Sequence, residues 1–275
     1  MLFFGSGVLC LPMKIVAILF GALAGLYMLL CGVLYFEQEK LLFAPTHLPA
    51  DYPFHFPGPF EERWTTAADG TRLHALLFKT PEPKGLIFYL HGNGGALDSW
   101  GDVAATYTAL GYDVFLLDYR GYGKSGGTIT NQAQLLADVD TVYRQLLPEY
   151  PENRTVVLGY SLGTGPATWL AARHHPKRLI LQAPYFSMRD MAARLYPFVP
   201  GFVLRYPMPT NELIGRVSAP IVLFHGDRDE VIDYNSALRL KALLKPTDEL
   251  IVLPGARHNG MTNNPDYRRE IARLL

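Results

Sequence analysis

The sequence predicts an α/β fold in which helices cover both faces of a mostly parallel sheet. Short apolar runs alternate with longer segments of helical pattern along residues 60–275, which is typical of parallel strands buried on both faces. One of these runs leads directly into a Gly-x-Ser-x-Gly segment, and an uncharged apolar stretch lies near the N-terminus. We therefore expect one globular domain that follows a hydrophobic N-terminal helix.

The composition excludes several classes of protein. Lys and Arg total 25 and Asp and Glu total 25 among 275 residues, so no net charge attracts the chain to nucleic acid. The 16 Tyr and 15 Phe indicate a packed domain and not a disordered chain. The two cysteines, Cys10 and Cys31, both lie in the apolar N-terminus, which leaves the domain without a thiol for a disulfide, a metal site or a nucleophile. We expect neither a metal nor a cofactor.

The apolar N-terminal segment is predicted to span a membrane. Residues 15–36 carry no charge, and a helix of about 22 residues is long enough to cross a hydrocarbon core of about 30 Å. Lys14 precedes the stretch, so the positive-inside rule places the domain on the non-cytoplasmic (periplasmic or extracytoplasmic) side. Residues 22–24 resemble a signal-peptidase site, but the apolar run continues past them, which favours an uncleaved anchor. Met13 resembles a natural translation start.

The chain divides into an anchor at residues 1–40, a connector at 41–59 and a domain at 60–275. The domain begins with a predicted hairpin, because strands at 60–66 and 72–79 flank Asp69 and Gly70. Further strands are predicted at residues 86–90, 114–118, 155–158, 179–181, 221–224 and 250–253. Helices are predicted at residues 97–110, 131–147, 162–173, 234–244 and 265–275. In such a sheet, functional residues lie at the carboxyl ends of the strands.

Residues 159–163 read Gly-Tyr-Ser-Leu-Gly and lie between a predicted strand and a predicted helix. Strand, sharp turn and helix are the setting of a nucleophile elbow, in which a strained backbone holds a serine hydroxyl clear of the sheet. Glycines at both flanks leave room for the strand and the helix to approach each other. Ser161 is therefore the candidate nucleophile. The competing interpretation is an ordinary glycine-rich turn before a helix.

A serine hydroxyl needs a base, and the base needs an orienting carboxylate. His258 follows the last predicted strand, and an acidic segment follows the strand before it. The order serine, acid, histidine is the one expected of a hydrolase with a nucleophile elbow. Asp229 is the preferred acid and Asp227 the second choice, while Glu230 and Asp233 belong to the same segment. By itself His258 would be read as a solvated loop histidine, but its place after the last strand favours the base.

Residues 91–95 (His-Gly-Asn-Gly-Gly) follow the predicted strand at 86–90, where this kind of sheet supplies an oxyanion donor. The expected donors are the backbone N–H groups of Asn93 and Leu162, because such groups are fixed before charge develops. His91 is expected to brace the loop by hydrogen bonds. It precedes the serine and therefore does not fit the order expected of a base.

A second glycine-rich loop, residues 118–127, follows the predicted strand at 114–118. We expect a structural role for this loop, with Asp118 paired to Arg120. Tyr119 and Tyr122 are candidates for the pocket wall. Ser125 lies in the loop without an elbow and is not a candidate nucleophile.

Five motifs carry a family resemblance. In chain order they are His-Gly-Asn-Gly-Gly, Asp-Tyr-Arg-Gly-Tyr-Gly-x-Ser-Gly-Gly, Gly-Tyr-Ser-Leu-Gly, His-Gly-x-x-Asp-Glu-Val-Ile and Gly-Ala-x-His-Asn. The chain thereby resembles the α/β-hydrolase superfamily, and within it the membrane-anchored serine hydrolases of the bacterial YfhR type and their eukaryotic relatives. The resemblance implies an α/β-hydrolase fold, one N-terminal transmembrane helix and activity on acyl esters or thioesters.

The same resemblance implies a catalytic triad of Ser161, Asp229 and His258, with Asn93 and Leu162 as the oxyanion donors. One motif departs from the family pattern. An arginine precedes the histidine and a glycine follows the asparagine, where relatives often have a small residue and an acid. This difference concerns the tuning of the site and not the identity of the base.

A short lid is predicted at about residues 183–218, where this fold inserts a cap over the site. Its apolar side chains are candidates for an acyl pocket: Tyr185, Phe186, Met188, Met191, Tyr196, Phe198, Phe202 and Met208. The alternative is that they pack on the sheet. The predicted function is a membrane-anchored serine hydrolase, similar to a carboxylesterase, lipase or lysophospholipase, with an acyl ester or lipid as its substrate. A peptidase of the same fold and a non-catalytic scaffold are the alternatives.

Overall fold

The computed structural model describes residues 12–275. One sheet contains eight strands: β1 (Phe60–Thr66), β2 (Arg72–Phe78), β3 (Leu86–Leu90), β4 (Asp113–Leu117), β5 (Thr155–Tyr160), β6 (Arg178–Gln182), β7 (Ile221–Gly226) and β8 (Glu249–Leu253). Their order across the sheet is β1-β2-β4-β3-β5-β6-β7-β8. The pairs β1–β2 and β2–β4 are antiparallel, and the other pairs are parallel. The predicted mostly parallel sheet is therefore confirmed.

Helices cover both faces of this sheet. The α-helices are α1 (Met13–Leu42), α2 (Leu97–Trp100), α3 (Ala104–Thr108), α4 (Gln132–Leu146), α5 (Thr164–Ala171), α6 (Met188–Leu195), α7 (Thr210–Leu213), α8 (Asn235–Lys241) and α9 (Pro265–Leu274). Side chains of α4, α5 and α8 belong to the apolar layer on one face, and those of α2, α3 and α9 to the layer on the other. The predicted three-layer arrangement is confirmed.

The two layers explain why the central strands are apolar throughout. Successive side chains of a strand point to opposite faces. In β3, Phe88 packs in one layer and Ile87 in the other, and Val157 and Leu158 divide in the same way in β5. Because both faces are covered, neither set of positions faces water, and the strands read as continuous apolar runs.

The predicted hairpin at the start of the domain is present. β1 pairs with β2 from Phe60 to Thr66. The turn between them places Gly70 at a φ of 85°, in the region that favours glycine. The carboxylate of Asp69 accepts a hydrogen bond from the backbone N–H of Thr71 at 3.1 Å, which closes the turn.

Two expectations from the sequence are wrong. The segment predicted as one helix at 97–110 is divided into α2, a 3₁₀ turn at Gly101–Val103 and α3. The 3₁₀ turn begins at Gly101, where the ring of Phe56 occupies the space that a Cβ would fill. Arg120 does not pair with Asp118, because its guanidinium reaches Asp69 at 2.7 Å and also pairs with Asp138.

Helix α1 is long and apolar enough to cross a membrane, and it is the one helix among residues 12–275 that meets this description. Its most apolar 18-residue window has a mean hydropathy of 2.3 and is not buried in the protein. The helix continues past the predicted 15–36 stretch to Leu42, because its last turns pack on the lid, where Gln38 is buried. Cys31 lies on α1, whereas Cys10 lies outside the described residues.

The segment after β6, at about residues 183–218, is the one predicted as a lid, and we keep that name for it. It contains α6, a 3₁₀ turn at Gly201–Val203, α7 and a second 3₁₀ turn at Ile214–Arg216. The side chain of Ser187 caps α6 by accepting a hydrogen bond from the N–H of Asp190 at 3.0 Å. The lid contacts α1 through its first 3₁₀ turn.

Candidate active site

Ser161 stands on a sharp turn between β5 and α5. Its φ of 50° lies in the left-handed region, which a non-glycine residue adopts only under strain. A Cβ at Gly159 would lie 2.4 Å from the carbonyl oxygen of Gly163, and a Cβ at Gly163 would lie 2.1 Å from that of Leu90. Both glycines are thus required for the strand, the turn and the helix to pack this closely. A strained residue between two closely packed glycines is the geometry that a nucleophile elbow requires.

The structure brings three predicted residues together at the carboxyl ends of β5, β7 and β8. His258 Nε2 lies 3.0 Å from Ser161 Oγ. His258 Nδ1 lies 2.8 Å from Asp229 Oδ2. All three side chains are buried or nearly so, which keeps water from competing for these contacts. This arrangement can transfer a proton from the serine hydroxyl to the imidazole.

The carboxylate of Asp229 is held on both oxygens. Oδ1 accepts hydrogen bonds from the N–H groups of Val231 at 2.9 Å and Ile232 at 2.8 Å, which leaves Oδ2 for His258. Burial would raise the pKa of Asp229, but hydrogen bonds from His225, His258 and the backbone outweigh burial and hold this pKa well below its usual value. The side chain therefore remains ionised while it contacts the imidazole.

The other acidic residues of the same segment have different partners. Asp227 accepts a hydrogen bond from the N–H of Gly255 at 2.6 Å. Glu230 contacts the backbone N–H of His258, at 3.4 Å, and not its ring. Asp233 binds the backbone at the start of α8. Among the described residues, Asp229 is thus the carboxylate that is hydrogen-bonded to the imidazole.

Tyr160 contacts both the backbone and the ring of His258. Its hydroxyl donates a hydrogen bond to the carbonyl oxygen of His258, and the two rings lie 5.7 Å apart, edge to face. Burial raises the pKa of Tyr160, so the hydroxyl remains a donor at neutral pH. Sequence reasoning missed this residue, because it occupies a variable position of the Gly-x-Ser-x-Gly motif.

Two tyrosines hold the glycine-rich loop after β3. The hydroxyl of Tyr119 donates to the carbonyl oxygen of His91 at 2.9 Å, and that of Tyr122 donates to the carbonyl oxygen of Asn93 at 2.7 Å. Both tyrosines lie beneath the loop and are buried. The structure therefore gives them a bracing role and not the place in the pocket wall that the sequence suggested.

His91 is fully buried under the same loop. Its Nδ1 lies 2.8 Å from the carbonyl oxygen of Gly92, and its ring stacks on Trp100 with centroids 5.6 Å apart. Burial lowers the pKa of His91, and the nearby Asp118 opposes this effect only in part. A neutral, buried ring that packs against its own loop agrees with the predicted bracing role.

The chain directly after α1 is joined to this loop. Ala44 and Pro45 form a two-residue strand, which we call the juxtamembrane strand, parallel to Gly94 and Gly95. The N–H of Ala44 also donates to the side-chain oxygen of Asn93 at 3.1 Å. Sequence reasoning missed this contact, because a strand of two residues leaves no periodic pattern. The position of the loop therefore depends on the segment that follows the apolar helix.

Comparisons with known proteins agree with this geometry. Residues 81–213 match the family described as serine aminopeptidase, S33. Human alpha/beta hydrolase domain-containing protein 17B is 30% identical over 219 residues, which cover 77% of this chain and 73% of that protein. This chain belongs to the α/β-hydrolase superfamily. The superfamily resemblance expected from the motifs is confirmed, and the protein is a hydrolase.

Other relatives of this hydrolase extend the match over most of the chain. The uncharacterized protein Rv2307c of Mycobacterium tuberculosis is 28% identical over 257 residues, covering 91% of this chain and 89% of that protein. Among solved structures, the Pyrococcus furiosus esterase Pf2001 superposes with a TM-score of 0.66 at 20% identity, covering 84% of this chain and 98% of the esterase. The esterase domain of a Rhodothermus marinus protein gives a TM-score of 0.61 at 17% identity, covering 79% and 96%. These structural matches establish the fold.

A cavity of about 420 Å³ lies beside Ser161 in this hydrolase. Asn93 and Leu162 line it together with the serine, as do four of the predicted pocket residues, Tyr185, Met188, Met191 and Tyr196. A larger depression of about 730 Å³ is lined by Tyr160 but not by Ser161, Asp229 or His258. The smaller cavity is the relevant one, because a substrate must reach Ser161.

Four of the predicted pocket residues do not line the cavity: Phe186, Phe198, Phe202 and Met208. Phe186 does not line the cavity, because its ring lies under the guanidinium group of Arg239, 3.6 Å from the ring centroid. Sequence reasoning also missed lining residues that come from α1. Leu34 lies in the predicted span at residues 15–36, whereas Gln38 and Leu41 lie beyond it.

Proposed function

We propose that this protein is a membrane-anchored serine hydrolase that cleaves acyl esters or thioesters through an acyl-enzyme. The observation that carries the proposal is the continuous set of contacts from Ser161 through His258 to Asp229, at 3.0 and 2.8 Å. The elbow beneath Ser161 and the apolar cavity beside it add support. Neither a metal nor a cofactor is required for this chemistry.

In the proposed acylation step, Ser161 Oγ attacks the carbonyl carbon of the substrate while His258 Nε2 accepts the hydroxyl proton. The carbonyl electron pair moves onto oxygen, which gives a tetrahedral oxyanion. When this intermediate collapses, the bond to the leaving group breaks, and His258 returns the proton to the leaving alkoxide or thiolate. Asp229 stays ionised throughout, keeps the proton on Nδ1 and stabilises the imidazolium.

Water completes the proposed cycle. A water molecule gives its proton to His258 Nε2 and attacks the acyl carbon, and a second oxyanion forms. Collapse of this intermediate breaks the bond to Ser161 Oγ, which recovers its proton from the imidazolium. The products are a free carboxylic acid and the regenerated enzyme.

We assign the backbone N–H groups of Asn93 and Leu162 as the donors that hold the oxyanion. Both residues line the cavity with Ser161, and both are fixed by contacts of their own chain segments. Loss of one such donor typically raises the barrier by about 3 kcal/mol. The bracing of Asn93 by Tyr122 and by the juxtamembrane strand supports this assignment, because an oxyanion donor is effective only when its position is fixed.

The apolar cavity supports an acyl substrate of some length. Each methylene buried there should contribute about 0.8 kcal/mol, or about a fourfold change in kcat/KM. A series of p-nitrophenyl esters should therefore show activity that rises with acyl length to a medium-chain optimum. Ser161→Ala should abolish this activity, whereas the control Ser99→Ala should retain it. Activity on the acetyl ester that equals or exceeds the longer esters would contradict the acyl pocket.

A serine peptidase is the second candidate function. It is favoured by the description of the matching family and by a depression next to the cavity that carries Asp227, Glu230 and Asp233, which could attract a free amino group. The lining of the cavity itself opposes it, because Arg189 is the charged residue there among the described residues. Amino-acid p-nitroanilides with a free amino group test this candidate. Hydrolysis of these anilides faster than the acyl esters would favour the peptidase.

We propose that α1 anchors the enzyme with its catalytic domain on the non-cytoplasmic side. The support is the length and hydropathy of α1 and the position of Lys14 before its apolar stretch. An Asp51→Cys variant, with both native cysteines replaced by serine, should react in intact cells with a maleimide that cannot cross membranes. Reaction only after the cells are lysed would contradict this orientation.

A further inference from the structure

The cavity beside Ser161 is built jointly by the lid and the end of α1. Leu34 and Leu41 of α1 face it on one side, and Met191 and Leu195 of α6 face it on another. Leu41 and Leu195 remain largely exposed in the protein. An acyl chain bound next to Ser161 would thus contact side chains that are also open to the surroundings of α1.

The lid is bonded to α1 along a considerable length of the helix. The hydroxyl of Tyr27 donates to the carbonyl oxygen of Phe198 at 2.7 Å. Eleven residues later, the amide of Gln38 donates to the carbonyl oxygen of Val203 at 3.1 Å and accepts from the N–H of Arg205 at 2.8 Å. At a rise of 1.5 Å per residue, these contacts extend over about 16 Å of helix.

These contacts place part of the lid beside the apolar stretch of α1. Tyr27 lies nine residues before Phe36, the last residue of the uncharged stretch, and thus about 14 Å along the helix from its end. A hydroxyl at that depth finds no partner in hydrocarbon, and the carbonyl oxygen of Phe198 supplies one. Phe198 and Phe202 expose 86% and 81% of their surface, as lipid-facing residues would.

A charged contact marks the other end of this interface. Glu39 pairs with Arg205 and accepts a hydrogen bond from the hydroxyl of Tyr206 at 2.8 Å. Glu39 lies just past the uncharged stretch of α1, where the headgroup region would begin. The exposed phenylalanines of the lid thus lie beside the uncharged stretch of α1, and the ion pair lies just past the end of that stretch.

We propose that the lid tip around Phe198 and Phe202 inserts into the leaflet that the C-terminal half of α1 crosses, and that an acyl chain passes laterally from this leaflet into the cavity. The substrate class is then an amphiphile whose acyl chain already lies in the membrane and whose ester or thioester lies at the headgroup level. This inference rests on the proposed function for the reaction at Ser161. The position of the lid in the bilayer can be measured without any turnover.

Fluorescence quenching tests the insertion directly. The full chain, as a Phe198→Trp variant in vesicles of dibrominated phosphatidylcholine, should show added tryptophan fluorescence that is mostly quenched. Leu243→Trp is the control, because Leu243 is an exposed leucine outside the lid and α1. Added fluorescence at Phe198→Trp that is quenched no more than that of the control would overturn the insertion.

Turnover in phosphatidylcholine nanodiscs tests the lateral passage. The double variant Phe198→Ser and Phe202→Ser should lose about tenfold in rate on p-nitrophenyl palmitate dissolved in the bilayer and stay within about twofold on water-soluble p-nitrophenyl acetate. Neither side chain lines the cavity, so a selective loss would report delivery and not the chemical step.

Equal losses on both esters, or no loss on the palmitate ester, would overturn the lateral passage. Failure of the proposed function gives a different result. In that case Ser161→Ala would leave both esters hydrolysed at the parent rate, while the quenching experiment would still report the position of the lid.

Discussion

The assignment of Asp229 as the orienting acid gives a sharp prediction for the substitution Asp229→Asn. The Oδ1 position accepts two backbone N–H groups, from Val231 and Ile232, so the carbonyl oxygen of the new asparagine must occupy that position. Its NH₂ group then faces His258 Nδ1, which must release its proton to accept this donor. The proton moves to Nε2, and the imidazole can no longer take a proton from Ser161.

The size of the effect follows from this change of tautomer. Where an asparagine forces the wrong tautomer on a catalytic histidine, kcat falls by about 10⁴-fold. Asp227→Asn is the matched control, because Asp227 binds the backbone N–H of Gly255 and the asparagine oxygen can keep that contact. The control should change kcat by no more than about twofold.

Steady-state hydrolysis of a water-soluble p-nitrophenyl ester measures both variants. The pH dependence adds an independent readout. Because the pKa of Asp229 is held well below its usual value, protonation of this carboxylate should not contribute to a loss of activity on the acid side. A loss of about 10³-fold or more in Asp227→Asn, with less than about tenfold in Asp229→Asn, would refute the assignment.

Three further predictions concern the loop after β3. Tyr122→Phe removes the hydrogen bond to the carbonyl oxygen of Asn93, which contributes about 0.5–1.5 kcal/mol. The kcat should therefore fall by about 2- to 12-fold while KM stays unchanged. An unchanged kcat would contradict the bracing role of Tyr122. In detergent, a chain that begins at Phe43 should keep its activity on p-nitrophenyl acetate. A chain that begins at Pro49 lacks the juxtamembrane strand, and its activity should fall by about tenfold or more. Equal rates of the two chains would refute the dependence of the loop on this strand. Burial lowers the pKa of His91 in the folded state, so below about pH 6.5 the unfolded chain binds more protons than the folded chain. The free energy of unfolding should therefore fall by up to about 1.4 kcal/mol for each pH unit below that value. In denaturant titrations His91→Phe should reduce this slope, and an unchanged slope would count against the explanation.

The elements that the sequence predicts well are those with a local signal. Ser161 is recognisable because a glycine motif lies between an apolar strand and a helix, and His258 and Asp229 are recognisable because each follows a strand end. Parallel strands place all their carboxyl ends on one edge, so chain order alone brings these residues near one another. The choice between Asp229 and Asp227 depends on geometry that no spacing discloses, namely which carboxylate lies at the imidazole.

The elements that the sequence does not predict depend on contacts between distant segments. The hydrogen bond from Tyr160 to His258 joins residues 98 positions apart. The expected pairing of Asp118 with Arg120 failed because Asp118 lies near the buried rings of His74 and His91, while Arg120 pairs with Asp138 of α4. Phe186 was expected in the pocket because it is apolar, but an arginine from α8 covers its ring. Hydrophobicity indicates burial and does not indicate the partner.

The most direct test of the central claim is to locate the covalent intermediate. The full chain in detergent should be treated with a fluorophosphonate probe and digested, and the modified peptide should be identified by mass spectrometry. The account predicts one adduct on Ser161, which is lost in Ser161→Ala and forms far more slowly in Asp229→Asn. An adduct at another residue, or folded protein that remains unmodified, would contradict the claim that Ser161 is the nucleophile.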